Sequence, residues 1–154
     1  MTLELSDKHA SLDALRKMLA QAKGLSITVG VHDSEGSASH QSASATVADI
    51  ATFHEFGTSR IPSRSFLRGW FDENKAKNLD VLQKLGRAVL QGKLDVRTGL
   101  DLAGLRFVGD IQRRIKAHIA PPLNEATIAR KRSSTPLIDT GQLWSSIRHR
   151  IEGP

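Results

Sequence analysis

Two long helical patterns stand back to back between Phe66 and Ile119, and such a pair constrains the fold to one built around a hairpin. In the first, over residues 66–90, Leu67, Trp70, Phe71, Leu79, Leu82, Leu85 and Val89 fall mostly on one face. Gly92 ends it. In the second, over residues 95–119, Leu100, Phe107, Val108, Ile111, Ile115 and Ile119 form the stripe. Pro121-Pro122 stops that helix, because proline has no N–H to give and clashes with the preceding turn. At a rise of about 1.5 Å per residue, each helix would span roughly 37 Å. The short break between them predicts an antiparallel hairpin. Gly99, Gly104 and Gly109 lie in the second helix at spacing five. They either permit a close helix approach or mark a bend.

The flanking sequence supplies the sheet. Leu25-Ser-Ile27-Thr-Val29-Gly-Val31 alternates strictly between apolar and small or polar residues, the pattern of a strand with one buried face. Ile147-Arg-His149-Arg-Ile151 alternates again and predicts a second strand paired with the first. Before the first strand, residues 6–23 read as a helix. Ser6 is placed to cap it, Leu12, Leu15 and Leu19 recur at helical spacing, and Gly24 stops it. After the strand, residues 32–45 are rich in Ser and Ala and are expected to form a mobile loop. Thr46-Val-Ala-Asp49 resembles a capping box and opens a short helix ending near Gly57. Ile61-Pro62 forces an extended or turn geometry, and Ser63 or Ser65 is placed to cap the next helix. Asn124 is expected to cap a short helix through Lys131, and Asp139 or Thr140 a final helical turn around Leu143. The expected class is α+β: one domain over 1–154, with a small antiparallel sheet packed against a long helical hairpin and short helices.

Composition narrows the chemistry. The 154 residues contain no cysteine, so disulfides and thiolate metal sites are excluded. No apolar run approaches the ~20 residues of a membrane span, and the N-terminal residues do not read as a signal peptide. Net charge is +6, but residues 1–110 carry 14 basic and 13 acidic groups, whereas residues 111–154 carry 8 and 3. That asymmetry suits a polyanion, an acidic protein partner or a solvated face. The basic clusters Arg113-Arg114-Lys116 and Arg130-Lys131-Arg132 are the candidates for phosphate contact. No helix-turn-helix, aromatic RNA-binding signature or zinc finger accompanies them.

No motif points to catalysis. His54-Glu55 begins like a zinc-protease signature, but that motif needs a second histidine four residues on, and Thr58 stands there. These two residues are expected to end a helix and bond locally. Asp139-Thr140-Gly141 matches the aspartic-protease triplet, yet that chemistry needs two carboxylates sharing a proton. Asp139 is therefore expected to be a helix cap. No phosphate-cradling glycine loop and no nucleophile elbow occur. No enzymatic activity, metal or cofactor is expected.

Residues 53–71 hold four of the five phenylalanines, one of the two tryptophans and three arginines, with no acid between Glu55 and Asp72. Arg64 and Arg68 are expected to share a helix face, with Arg60 in the preceding loop. All three are candidates for salt bridges to another subunit, since the guanidinium fork suits carboxylates.

Three phrases occur in order: His54-Glu55-Phe56-Gly57-Thr with Ile61-Pro62-Ser-Arg64-Ser-Phe66-Leu67-Arg68; then Pro121-Pro-Leu-Asn with Thr127-Ile-Ala-Arg130-Lys131; then Leu137-Ile-Asp139-Thr140-Gly141-Gln-Leu143-Trp-Ser-Ser-Ile147. Together they resemble the virion-morphogenesis proteins of tailed bacteriophages, the neck or tail-completion group that joins head to tail. The likeness spans residues 25–151. Ser65 stands where the family commonly has proline, and the chain ends at Glu152-Gly-Pro154 where members often continue with further strand. The resemblance implies a structural protein of the virion, assembled in the host cytoplasm and acting as a homohexameric ring. Its expected partners are neighbouring neck and tail proteins: a connector or stopper, a tail terminator or the tail tube. Non-specific contact with packaged DNA fits as well. Two alternatives are a tail terminator ring capping the tube and a non-specific nucleic-acid-binding protein.

Overall fold

The computed structural model describes residues 3–39, 44–131 and 133–154, with side chains described from residue 12 onward. The element order is α1 (Leu3–Ala22), β1 (Ser26–Val31), α2 (Asp33–Gly36), α3 (Val47–Phe56), α4 (Arg68–Leu90), α5 (Val96–Lys116), α6 (Glu125–Arg130), α7 (Gln142–Ser145) and β2 (Ile147–Glu152). The fold is α+β, with a two-stranded antiparallel sheet. Val31 pairs with Ile147, Val29 with His149 and Ile27 with Ile151. Both alternating segments therefore form the strands expected of them, because a period of two puts their apolar residues on one face.

That face packs on α5. Gly104 is the reason the helix comes so close: a Cβ there would stand 2.3 Å from Cδ2 of His149 and 2.7 Å from Cδ1 of Ile27. Of the two roles open to the helix glycines, Gly104 takes close approach, here toward the sheet. A Cβ at Gly109 would meet no atom of another element within 4 Å. On another side of α5 lies α4, antiparallel to it: Val89 lies against Gly99 near one end, and the Trp70 and Phe107 rings meet tilted at 59°, 5.5 Å between centroids, toward the other. Phe66, Ile111, Ile115, Ile147 and Val47 form the fully buried centre. Burying a side chain of this kind contributes about 1.5–3 kcal/mol each.

Several expectations shift. Ser6 lies inside α1, which begins at Leu3, so it does not cap it. The stripe of α1 stays largely on the surface, with Leu12 and Leu19 exposed. The 32–45 segment is not loop throughout: α2 occupies Asp33–Gly36, and Ser39 bridges Thr46. Residues 40–43 of that segment lie outside the described residues. α5 ends at Lys116, before the two prolines, with His118 in the left-handed region at φ 53°. On α4 the inward residues are Trp70, Asn78, Val81 and Leu85, whereas Phe71 is 51% and Leu79 56% exposed. The sequence stripe was wider than the face the core covers.

Candidate functional site

The start of α4 organises the site. Its first turn contains no acid, and its own N-cap position, Leu67, supplies no side-chain bond. The free N–H groups are taken by Glu55, the penultimate residue of α3. Its Oε2 accepts from the N–H of Phe66 at 2.9 Å and of Leu67 at 3.0 Å. Its Oε1 accepts from the N–H of Arg68 at 3.0 Å, the Ser65 hydroxyl at 2.6 Å and Nε of Arg68 at 3.2 Å. The carboxylate sits at the positive end of the helix dipole and satisfies donors that would otherwise be orphaned. Burial alone would raise the Glu55 carboxyl, but the bonds from Ser65, Leu67 and Arg68 outweigh it. The net direction is below the ordinary glutamate range.

Gly57 makes this return possible. It holds φ at 79°, and a Cβ would stand 2.9 Å from the Ser63 nitrogen and 3.2 Å from the Ile61 oxygen. Thr58 closes the turn by accepting from the N–H of Ile61 at 3.0 Å and Arg60 at 3.2 Å. Ser63 then donates to the Glu55 carbonyl, and the Arg64 N–H to the His54 carbonyl. Neither serine expected to cap the helix is its N-cap residue, which is Leu67, but the Ser65 hydroxyl accepts from the Gly69 N–H at 2.9 Å. Phe66 is fully buried, Leu67 half-buried, and Phe56 exposed beneath the Arg68 guanidinium, 4.4 Å from the ring centroid.

The three arginines do not form a shared contact face. Arg60 is exposed, and Arg68 is bonded to Glu55. Arg64 is only 4% exposed and precedes the helix, donating from Nε to the Pro121 carbonyl at 2.8 Å and from Nη2 to Pro122 at 3.4 Å. Burial pushes its guanidinium downward. Contrary to expectation, Arg64 therefore does not share a helix face with Arg68, because the helix starts only at Arg68; in the single chain it ties the first phrase to the second.

The third phrase completes the enclosure. Leu137, Leu143 and Ile147 are buried. Asp139 does not cap α7. Gly141 occupies that position at φ 81°, and the Thr140 hydroxyl accepts from the Gln142 N–H at 3.3 Å. Asn124 caps α6 as expected, accepting from the Thr127 N–H at 2.7 Å. Between the phrases opens a cleft of about 1040 Å³. Ile61, Pro62 and Arg64 line it from the first, Pro122 and Lys131 from the second, Asp139 from the third. Lys131 donates to the carbonyls of Pro136 at 2.9 Å and Thr135 at 3.4 Å. Burial, helped by Arg64 and Arg130 and opposed by Asp139, holds its ammonium below the ordinary lysine range.

The basic clusters separate. Arg130 and Lys131 line the cleft, whereas Arg132 lies outside the described residues. Arg113 pairs with Asp110, and Arg114 lies between Glu73, at 3.0 Å, and the Ser65 carbonyl. Lys116 stands over Trp144, 4.3 Å from the ring centroid. Among the described residues no three His, Asp or Glu side chains group to hold a metal, and no helix is long and apolar enough to cross a membrane.

Sequence reasoning missed the cap supplied by Glu55 and the burial of Arg64. A signal for the first was present: Glu55 is the last acid before a helix start that carries none of its own. Comparison of the chain with protein-family models, with curated proteins and with solved structures finds no match.

Proposed function

We propose that this chain is a structural virion protein of a tailed bacteriophage, part of the neck and needed for tail completion or head–tail joining. It works as a ring of identical copies, sixfold like the tail it meets, and carries out no catalytic step. Its neighbours are a connector or stopper and a terminator or tail tube, and its place is the virion.

One observation carries this reading. The three phrases that resemble the neck group, up to 93 residues apart between His54 and Ile147, converge on a single cleft. Short phrases that matched by coincidence would have no reason to meet in space. The nucleic-acid reading draws less support, because Arg113 and Arg114 already meet Asp110 and Glu73.

The test is genetic. A phage whose copy of this gene is inactivated should yield filled heads and separate tails under negative stain, and complementation should restore joined particles. Normal joined virions lacking the protein would overturn the reading.

A further inference from the structure

We propose that the cleft is a docking site for an acidic segment of a partner protein, with Arg64 at its floor receiving a carboxylate side chain. This names a partner chemistry for the cleft on which the neck reading rests.

The strongest observation is the state of Arg64. Its guanidinium carries a full charge in a position only 4% exposed. It bonds to two carbonyl oxygens, and among the described residues no carboxylate lies within ion-pair distance of it. A buried charge is costly unless it is paired, and carbonyl dipoles only partly replace an anion. A guanidinium offers five N–H donors, of which two are engaged here. The residue borders the cleft, so an incoming carboxylate has donors to meet.

The rest of the cleft has matching sign. Arg60, Arg130 and Lys131 line it with Arg64, against one acid, Asp139. Four cations facing one carboxylate set a positive potential in a partly enclosed space, where opposite charge is drawn in. The walls distinguish a peptide from a nucleic acid. Ile61, Pro62, Pro122, Leu123, Leu137 and Leu143 give a partner's apolar side chains somewhere to pack. A phosphodiester backbone has no use for them, and it tracks exposed cations along a groove rather than one at a buried floor. A carboxylate on a side chain reaches such a floor, and the arginine fork binds it in bidentate geometry.

The experiment uses the full chain and a fluorescein-labelled peptide alternating glutamate and leucine, followed by fluorescence anisotropy at low salt. Saturable binding is expected. The double variant Arg60→Glu, Arg130→Glu should weaken it by about tenfold or more. Both residues are exposed, so an unchanged melting curve separates lost binding from lost folding. Arg64→Gln should weaken binding too, but it also tests the fold, which is why the exposed pair is decisive. Arg87→Glu, on exposed α4 surface away from the cleft, should leave affinity unchanged. The proposal is overturned by any of four results: no saturable binding; an unchanged affinity in the double variant; equal binding of a glutamine–leucine peptide; or displacement of the peptide by a single-stranded oligonucleotide that binds more tightly. Loss of this partner chemistry would leave the neck reading intact if the inactivated phage still made unjoined heads and tails. Joined virions without the protein would remove the neck reading while the binding result stood.

Discussion

The starts of α3 and α4 solve one problem in two ways. Each helix begins with N–H groups that have no partner inside the helix. At α3 the answer is local: the Thr46 hydroxyl accepts from the Asp49 N–H at 3.2 Å, and the Asp49 carboxylate accepts from the Thr46 N–H at 2.9 Å. At α4 the answer comes from another helix, where Glu55 reaches the N–H groups of residues 11 to 13 positions ahead. The local box stabilises one helix. The distant carboxylate also fixes the angle between two helices, and with it the first wall of the cleft. A cap built from tertiary structure is therefore a joint.

The largest expected effect breaks that joint. Glu55→Ala leaves three backbone N–H groups and the Ser65 hydroxyl without their acceptor, and should cost about 3–5 kcal/mol in urea unfolding. Hydrogen exchange at Phe66, Leu67 and Arg68 should rise more than elsewhere in α4. Exchange that remains slow there would mean that the cap is dispensable.

Acid provides a milder version of the same break. The folded carboxyl of Glu55 ionises below its unfolded value. Its contribution is thus present above the unfolded glutamate range, about 4.3, and is lost as pH falls through the lower folded value. Glu55→Gln should start less stable at neutral pH and lack that component of the acid loss. Parallel pH curves for the two proteins would show that the carboxylate is not the titrating element.

Next in size is the turn that brings Glu55 to its target. Gly57→Ala must place a Cβ in a backbone region reserved for glycine and against the Ser63 nitrogen, and should cost about 1–3 kcal/mol. The smallest effect belongs to the local cap: Thr46→Ala should cost about 1 kcal/mol, with exchange changing only in the first turn of α3. If thermal melts reversed this order, the distinction between joint and cap would fail.

Legibility in the sequence follows the same division. The box at Thr46 and Asp49 was readable because both partners lie within one turn. Asn124 was readable for the same reason; the alternation of the two strands and the presence of the hairpin were readable from local periodicity. The cap on α4 was not, because nothing in residues 66–68 names their partner. The burial of Arg64 was not readable either, because only the path of residues 118–122 puts two carbonyls around it. The stripe of α4 misled by its width. Apolar spacing says which residues could face inward, while the position of α5 decides that Trp70 does and Phe71 does not.

What the sequence determined by itself was the two strands, the helical hairpin and the local caps at Thr46 and Asn124, since hydrogen bonds within a few residues and a period of two or 3.6 are properties of short segments. What only the tertiary structure decided was which charges are interior, which phrases meet, and that a cleft opens between them. Those depend on distances between residues remote in the chain, and a carboxylate or guanidinium has the same composition whether it joins two helices or faces water.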